Sequence, residues 1–310
     1  MAIFCDILLT ELVTNEDLVW DENYNDKYLL KLSNESINEI LSKRNGLDKG
    51  NYNEFPILKN EILTLKEILL EKHGFIIIDG KSFEKFSVNE IRFIYILISN
   101  FLGDLIPQNI KNEILIEVKD EGKSMKTGGR YHQTRDGGSC HTDSPQWENT
   151  PDFIGLCCIH PAKIGGINKY ISAYKIHNLF LKQNKELLEI LYDKFYFDKR
   201  GEFKQGESPT IFEPIIKYEN KKLTFRYLRD YIDQGYKIQN KKLTSKQLDS
   251  LEMLDSFLDD KKNIVEYTLK KYDMTFFNNN WIVHGRTNFE DFEDLEKKRL
   301  MLRVWIKNLN

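Results

Sequence analysis

Two stretches of the sequence decide the fold and chemistry that we predict: GGSCHTDSP at 137–145 and NWIVHGR at 280–286. In an extended strand, residues two apart project from the same face, so His141 and Asp143 point the same way. They offer a neutral imidazole nitrogen and an anionic oxygen, and His284 in the second stretch offers another imidazole. Two histidines and one carboxylate on one face of an octahedral metal leave open positions, an arrangement typical of non-haem Fe(II) oxygenases.

The surroundings of the His-x-Asp pair strengthen this prediction, because such a pair alone arises by chance. Two glycines and a serine lead into the pair and Ser144-Pro145 follows it, which indicates the end of a strand. His284 is followed by Gly285-Arg286 and has the same kind of position. Strand ends at the mouth of a barrel are where a substrate reaches an open coordination site. A chance pair without a ligand role is the alternative.

The strand predicted at 299–306 gives an independent indication of an internal site. Its two faces alternate, with Leu300, Leu302, Val304 and Ile306 on one and Arg299, Met301, Arg303 and Trp305 on the other. If helices cover the aliphatic face, the two arginines point into a barrel, where each needs an anion because an unpaired buried charge is costly. A planar guanidinium binds a carboxylate through two hydrogen bonds, and a dicarboxylate cosubstrate supplies one. The alternative is a half-buried strand with its arginines in water.

The charge balance argues against a polyanionic partner. The 310 residues contain 45 Lys and Arg against 48 Asp and Glu, a net charge of −3, and no basic stripe stands out. Nucleic-acid binding is therefore not expected. We expect the partner to be a small-molecule substrate.

Cysteine usage and hydropathy predict a cytoplasmic protein. The cysteines lie at positions 5, 140, 157 and 158. They lack the spacing of a disulfide framework, which favours a reducing compartment. They also lack C-x-x-C spacing, which argues against a structural zinc site. The N-terminus lacks a basic segment followed by an apolar run. No apolar window approaches the roughly 18 residues that a membrane span needs, so no membrane association is expected.

The order of predicted elements favours a mixed β fold with α-helices. Helical spacing predicts helices at 61–72, 88–101 and around 248–258, and apolar runs predict strands at 75–78, 152–160, 167–172, 214–218, 223–228, 281–284 and 300–306. Internal repeats, a linker and regular βαβ alternation are not evident. We predict one domain over 1–310, with a double-stranded β-helix (jelly-roll) core flanked by helices. A peripheral N-terminal region covers about 1–60, and an insertion at about 183–262 precedes the last core strands.

These motifs together resemble the taurine dioxygenase-like (TauD/TfdA) family of Fe(II)/2-oxoglutarate-dependent oxygenases. The resemblance is carried by His141-Thr142-Asp143, Gly165-Gly166, NWIVHGR (280–286), TNFED (287–291) and RLMLRVW (299–305), and it runs from roughly Leu63 to the C-terminus. It implies that His141, Asp143 and His284 are the iron ligands. It also implies that Arg299 binds the distal carboxylate of 2-oxoglutarate.

The resemblance also implies roles for less certain residues. Family members often carry Thr or Ser two residues after the double glycine, where this chain has Asn168, whose amide still donates a hydrogen bond to the cosubstrate. Arg303 lies on the face of Arg299 and is expected to meet an acidic group of the substrate. Further substrate-binding candidates precede the metal strand, at Arg130, Tyr131 and Gln133; a solvated turn is the alternative there.

The predicted function is that of a dioxygenase using Fe(II), 2-oxoglutarate and dioxygen. It hydroxylates a small polar substrate, an amino acid or other carboxylate, and releases succinate and CO2. Desaturation or cyclisation is an alternative outcome of the same chemistry. Two alternatives come from other classes: a non-catalytic jelly-roll protein that binds a small anion, and a zinc-dependent hydrolase using the same three ligands.

Overall fold

The computed structural model of the chain describes residues 8–24, 26–109, 111–123 and 133–308. Strands and helices alternate irregularly along these ranges. The strands are β1 (Leu29–Leu30), β2 (Phe75–Ile78), β3 (Asp104–Ile106), β4 (Ile116–Val118), β5 (Phe153–His160), β6 (Ile164–Gly165), β7 (Asn168–Ser172), β8 (Lys194–Asp198), β9 (Thr210–Pro214), β10 (Ile216–Glu219), β11 (Lys222–Phe225), β12 (Val265–Tyr267), β13 (Met274–Asn278), β14 (Ile282–Arg286), β15 (Phe289–Glu290) and β16 (Leu300–Lys307). The α-helices are α1 (Asn34–Ser42), α2 (Pro56–Glu71), α3 (Val88–Leu102), α4 (Ala173–Gln183), α5 (Lys185–Leu191), α6 (Arg229–Ile238) and α7 (Ser245–Asp259).

The largest sheet has the strand order β1-β2-β13-β5-β16-β3, with β4 also paired to β16. Its pairs are antiparallel except β1 with β2. Gly155 in β5 lies opposite Phe276 on one neighbouring strand and Val304 on the other. A Cβ there would lie 2.7 Å from the Tyr95 hydroxyl of α3 and 2.8 Å from the Phe276 ring. The glycine therefore allows α3 to pack closely on the middle of the sheet.

Helices cover one face of this sheet. The aliphatic residues of β16 belong to a buried cluster shared with α2 and α3, which includes Leu69, Ile94 and Ile98. Helix α3 begins where predicted, because Ser87 and Glu90 form a capping box. Helix α2 begins earlier than predicted, at Pro56, whose fixed φ suits the first turn. Because helices cover the aliphatic face of β16, the face that carries the arginines points away from them, toward the interior.

A three-stranded antiparallel sheet, β12-β7-β14, faces the other side of the large sheet. Tyr170 of β7 stacks on Phe75 of β2 with ring centroids 4.8 Å apart, and its hydroxyl is 3.0 Å from Oγ1 of Thr275. Phe277 of β13 lies 4.5 Å from the His284 ring of β14. The two sheets therefore enclose a buried layer that reaches His284.

The region predicted as an insertion differs in detail from its prediction. The strand predicted at 214–218 is interrupted at Ile215: Pro214 ends β9, which pairs with β8, and residues 216–218 belong to β10, which pairs with β11. The strand predicted at 223–228 ends at Phe225, and helix α6 follows. Helix α6 buries only Ile232, Gly235 and Tyr236, and most of its other residues are polar or charged, so no apolar run marks it in the sequence.

The N-terminal residues contact the core. Strand β1 extends the large sheet, and Tyr28 stacks on Phe75 with ring centroids 4.8 Å apart. Trp20 packs 5.1 Å from the same ring. The mixed α/β architecture is confirmed, whereas a single domain and the closing of the two sheets into a double-stranded β-helix stay predictions. Among the residues described, no helix is both long and apolar enough to cross a bilayer.

Candidate active site

The stretches at 137–145 and 280–286 meet in space. An antiparallel bridge joins His141 to His284, with each backbone N–H 2.8 Å from the other's carbonyl oxygen. Nε2 of each histidine lies 3.5 Å from Oδ1 of Asp143. One ligand atom from each of the three residues lies within 4.8 Å of the others. The structure therefore brings together the predicted pair of imidazoles and carboxylate.

The protonation of this cluster suits a divalent metal. Burial alone raises the pKa of the Asp143 carboxyl, but the charge of Arg303 and hydrogen bonds to His141 and His284 outweigh it and hold this pKa well below its usual range. Burial lowers the pKa of His284, although Asp143 opposes the shift. Nδ1 of His141 donates to the Ser139 carbonyl across 2.9 Å, which leaves Nε2 as the ring nitrogen that faces Asp143. A carboxylate and neutral imidazole nitrogens are the donors that Fe(II) takes in this kind of site.

The last strand fixes the orientation of the Asp143 carboxylate. The indole N–H of Trp305 donates to Oδ2 across 2.7 Å, and Nη1 of Arg303 donates to the same oxygen across 3.2 Å. Asn279 holds the backbone of Asp143 from the other side, since its Oδ1 accepts from the Asp143 N–H and its Nδ2 donates to the Asp143 carbonyl. The sequence pattern predicted that Trp305 lies on the inner face, but not that it contacts Asp143. Nothing in the sequence distinguished Asn279 from the asparagines on either side of it as a partner of Asp143.

A cavity adjoins the cluster. It encloses about 600 Å³ including its open mouth, and its apolar wall includes Val118, Ile154 and Leu156. Its polar lining contains most of the residues predicted for the site: His141, Asp143, Asn168, His284, Arg299 and Arg303. The three-residue cluster therefore lies on the wall of a cavity that is open to solvent.

Arg299 places a buried positive charge in this cavity. Its side chain is 4% exposed, its guanidinium lies 4.9 Å from the Phe289 ring centroid, and its backbone N–H donates to Asp291. Burial lowers the pKa of the guanidinium, while Cys158 and Asp291 raise it. Its Nη1 has no hydrogen-bond partner among the residues that the structure describes. A buried guanidinium with an unused donor fits a carboxylate ligand.

The other predicted residues have different surroundings. Asn168 is buried on the cavity wall, and its Nδ2 lies 3.4 Å from the Tyr267 carbonyl. Gln133 lines a neighbouring cleft that also includes Arg303, and it donates to Glu121 across 3.0 Å. Arg130 and Tyr131 lie outside the described residues.

Arg286 lines the cavity but was not included among the predicted site residues. Its guanidinium donates to the carbonyl oxygens of Thr134, Arg135 and Thr287 and so holds the backbone on either side of it. Burial, followed by the charge of Arg299, lowers the pKa of Arg286 to about 10. The buried Arg299 and the half-buried Arg286 both line the cavity, and their positive charges make it attractive to an anion.

Known proteins are similar to this chain in sequence or in fold. The chain is 30% identical to "FR-33289 synthase" of Streptomyces rubellomurinus (strain ATCC 31215) over 242 residues, which cover 76% of this chain and 70% of that protein. A solved asparagine oxygenase, in complex with Fe(II), 2S,3S-3-hydroxyasparagine and succinate, superposes with a TM-score of 0.72 at 14% identity, covering 91% of this chain and 94% of its own. The non-heme iron oxygenase OrfP, in complex with Fe and alpha-ketoglutaric acid, superposes with a TM-score of 0.65 at 13% identity, covering 90% and 94%.

The family match extends beyond the motifs. The family described as "Taurine catabolism dioxygenase TauD, TfdA family" matches residues 43–305, so the match begins before the start of the resemblance noted in the sequence. The predicted enzyme class, a 2-oxoglutarate-dependent non-haem iron dioxygenase, is confirmed with its cofactors. The chain belongs to the taurine catabolism dioxygenase TauD/TfdA family.

Proposed function

We propose that this protein hydroxylates a small polar substrate, an amino acid or other carboxylate, with Fe(II), 2-oxoglutarate and dioxygen. The observation that carries the proposal is that one cavity holds both the three-residue cluster and the buried guanidinium of Arg299. The cluster supplies the donors for iron, and the guanidinium supplies the partner for an anionic cosubstrate. Both features are needed for this chemistry.

His141, Asp143 and His284 would hold the iron, and Arg299 would bind the distal carboxylate of 2-oxoglutarate, with Asn168 on the same wall. When bound, iron and 2-oxoglutarate supply dioxygen activation, in which 2-oxoglutarate becomes succinate and CO2 and one oxygen atom reaches the substrate. The protein's own part is to orient and to shield. The bond from Trp305 holds the Asp143 carboxylate in one orientation, so that Oδ1 faces the histidines.

Arg303 supports an acidic substrate. It lines the cavity beside the cluster, and its guanidinium uses Nε for Gln108 and Nη1 for Asp143. Five N–H donors are present on a guanidinium, so further donors serve a substrate carboxylate. The structurally similar oxygenases carry asparagine- and arginine-derived ligands in their own sites, which supports a substrate of amino-acid size. We also propose that the two sheets close into a double-stranded β-helix within one domain.

Succinate formation from 2-oxoglutarate tests the proposal. The protein is supplied with Fe(II) in air and with a panel of amino acids and small carboxylic acids, and succinate and the modified acid are measured together. We expect both products in equal amounts for a substrate, and neither without oxygen. Turnover supported by Zn(II) without oxygen would indicate the hydrolase instead. Ligand binding without any succinate would indicate the non-catalytic binding protein.

A further inference from the structure

A second cavity reaches the same cluster from a different wall. It measures about 490 Å³ including its open mouth and shares His141, Asp143 and Arg303 with the first cavity, whereas neither Arg299 nor Asn168 lines it. Its remaining lining includes Ser144, Gln146, Glu202 and Tyr231, and we call it the Glu202 pocket. Because it lies away from the guanidinium assigned to 2-oxoglutarate, it is available to the substrate.

The carboxylate of Glu202 is held in place relative to the three-residue cluster. Gln146 Nε2 and Trp147 Nε1 both donate to its Oε2, across 3.0 and 2.7 Å. The Trp147 ring packs edge-on against Trp305 with centroids 5.1 Å apart, and Trp305 donates to Asp143. One continuous set of contacts therefore connects the negative charge at Glu202 to a predicted iron ligand.

Two other acceptors, on residues that line the pocket, have no hydrogen-bond partner among the described residues. Gln146 and Ser144 are 5% and 6% exposed, and within the described ranges neither Oε1 of Gln146 nor Oγ of Ser144 has a hydrogen-bond partner. The amide of Gln146 is not free to flip, because that would place Oε1 against the Glu202 carboxylate. An unsatisfied buried polar atom costs about 1–3 kcal/mol, so a ligand that supplies hydrogen-bond donors is favoured here.

The chemistry of this wall is complementary to a cation rich in donors. Side chains that carry a carboxylate, an amide and a hydroxyl line the pocket, and an ammonium group offers three donors and no acceptor. Arg303 provides the opposite charge in the same cavity. A ligand with an ammonium and a carboxylate matches both.

We propose that the Glu202 pocket binds the ammonium group of the substrate while Arg303 binds its carboxylate, so that the enzyme prefers amino acids to carboxylic acids that lack the amine. This inference rests on the proposed function. Glu202 is thereby a specificity-determining residue. A purely structural role, in which Glu202 only ties its loop to Gln146 and Trp147, is the competing account.

Glu202→Gln separates the two accounts, because the amide oxygen still accepts from Gln146 and Trp147 while the charge is lost. The matched control is Glu207→Gln, an exposed glutamate of the same loop whose carboxylate accepts from the Lys204 backbone. The probes are L-asparagine, L-glutamine and L-arginine, each paired with the acid in which hydrogen replaces the α-amino group. Binding is measured by calorimetry without oxygen, on protein loaded with Fe(II) and 2-oxoglutarate.

We expect the wild-type protein and Glu207→Gln to bind at least one amino acid 10-fold or more tightly than its paired acid. In Glu202→Gln this preference should disappear, while the affinity for the paired acid stays the same. An undiminished preference in Glu202→Gln, or no preference in the wild type, overturns the inference. The melting temperature of each variant shows whether it folds, and Glu202→Asp, which retains the charge, should recover part of the preference.

The same preparations distinguish failure of this inference from failure of the proposed function. Succinate formation in air with Fe(II) and 2-oxoglutarate measures the oxygenase activity independently of the titration. A wild type that makes no succinate with any probe contradicts the proposed function. A wild type that makes succinate, and whose amino-acid preference survives in Glu202→Gln, contradicts only the role of Glu202.

Discussion

The indole N–H of Trp305 lies 2.7 Å from Oδ2 of Asp143, on the opposite oxygen from the one that faces both histidines. The last strand of the chain therefore sets the orientation of a carboxylate from a loop 162 residues earlier. Because Trp305 and Arg303 both occupy Oδ2, Oδ1 is the oxygen left toward the histidines and the cavity. A ligand that is pre-oriented in this way loses less freedom when a metal binds.

Removing the indole donor should weaken metal binding without unfolding the protein. For Trp305→Phe we expect the dissociation constant of Fe(II) to rise about 10- to 100-fold, the usual effect of losing a partner of a metal ligand. Anaerobic titration with Fe(II) measures it. Trp20→Phe is the matched control, because Trp20 is also buried and its indole N–H donates to the His73 carbonyl, away from the cluster. Equal iron affinity in the two variants would contradict a positioning role for Trp305.

The three predicted ligands should be indispensable for iron binding. We expect His141→Ala to lose iron-dependent succinate formation. Its affinity for iron should fall by more than about 10- to 100-fold, which is the usual loss when only a hydrogen-bond partner of a ligand is removed. The fold should survive, because the backbone bridge to His284 does not depend on the imidazole. His160→Ala, at the end of β5, is the control and should keep its iron. Iron content and circular dichroism are the measurements, and a His141→Ala variant with full activity would remove His141 from the ligand set.

The sequence was informative wherever the chemistry follows one strand. The alternation over 299–306 predicted which face carries Arg299 and Arg303. His141 and Asp143 lie together as their spacing predicted, although His141 forms only an isolated bridge and Asp143 lies in a bend, not in a strand. The position of His284 after an apolar run suggested its partnership with them. These are local patterns, and a strand that is buried on one side preserves them.

The contacts that the sequence did not reveal join residues far apart in the chain. Asn279 meets Asp143 across 136 positions, and Gln146 meets Glu202 across 56. Both asparagine and glutamine are ordinary surface residues, so their type indicates nothing until the fold places them beside a carboxylate or a backbone that needs a partner. Helix α6 was missed for a related reason: its Gly235 disfavours a helix in isolation, and the close approach of that glycine to the Tyr196 carbonyl of β8 exists only in the folded protein.

Arg299 should determine the requirement for 2-oxoglutarate. Losing one partner of a buried charge pair costs about 2–5 kcal/mol, so for Arg299→Gln we expect the 2-oxoglutarate concentration at half-maximal rate to rise at least about 30-fold. The maximal rate at saturating 2-oxoglutarate should fall less. Lys297→Ala, which removes an exposed cation from the same segment, should change neither. An unaltered 2-oxoglutarate requirement in Arg299→Gln would show that another residue, such as Arg286, is the anchor.

A buried histidine outside the site should make stability depend on pH. Burial lowers the pKa of His73 from the ordinary 6.5 to about 4, with Asp17 opposing the shift and Lys72 and Lys27 adding to it. The ring packs 5.3 Å from Tyr24, and in the described part of the chain its Nε2 has no partner. It is therefore neutral in the folded protein at pH values where the unfolded chain already binds a proton.

The sign of the effect follows from this difference in proton binding. Above pH 6.5 neither state protonates His73, so the free energy of unfolding contains its full contribution. Between pH 6.5 and about 4 only the unfolded state takes up the proton, so the free energy of unfolding falls as the pH falls. One group contributes at most about 1.4 kcal/mol per pH unit, and we expect a loss of about 1–2 kcal/mol over this window after allowing for partial solvent access.

His73→Gln should remove this part of the pH dependence. His177, whose pKa burial also lowers to about 4, remains in the variant, so the free energy of unfolding of the variant should still fall in acid. Unfolding of the variant should take up about one proton fewer than unfolding of the wild type, which makes the fall less steep. Urea unfolding of the metal-free protein at several pH values between 7.5 and 4.5 measures the difference. His160→Gln is the control and should follow the wild-type curve. Parallel curves for His73→Gln and the wild type would show that His73 takes up its proton equally in the folded and unfolded chain.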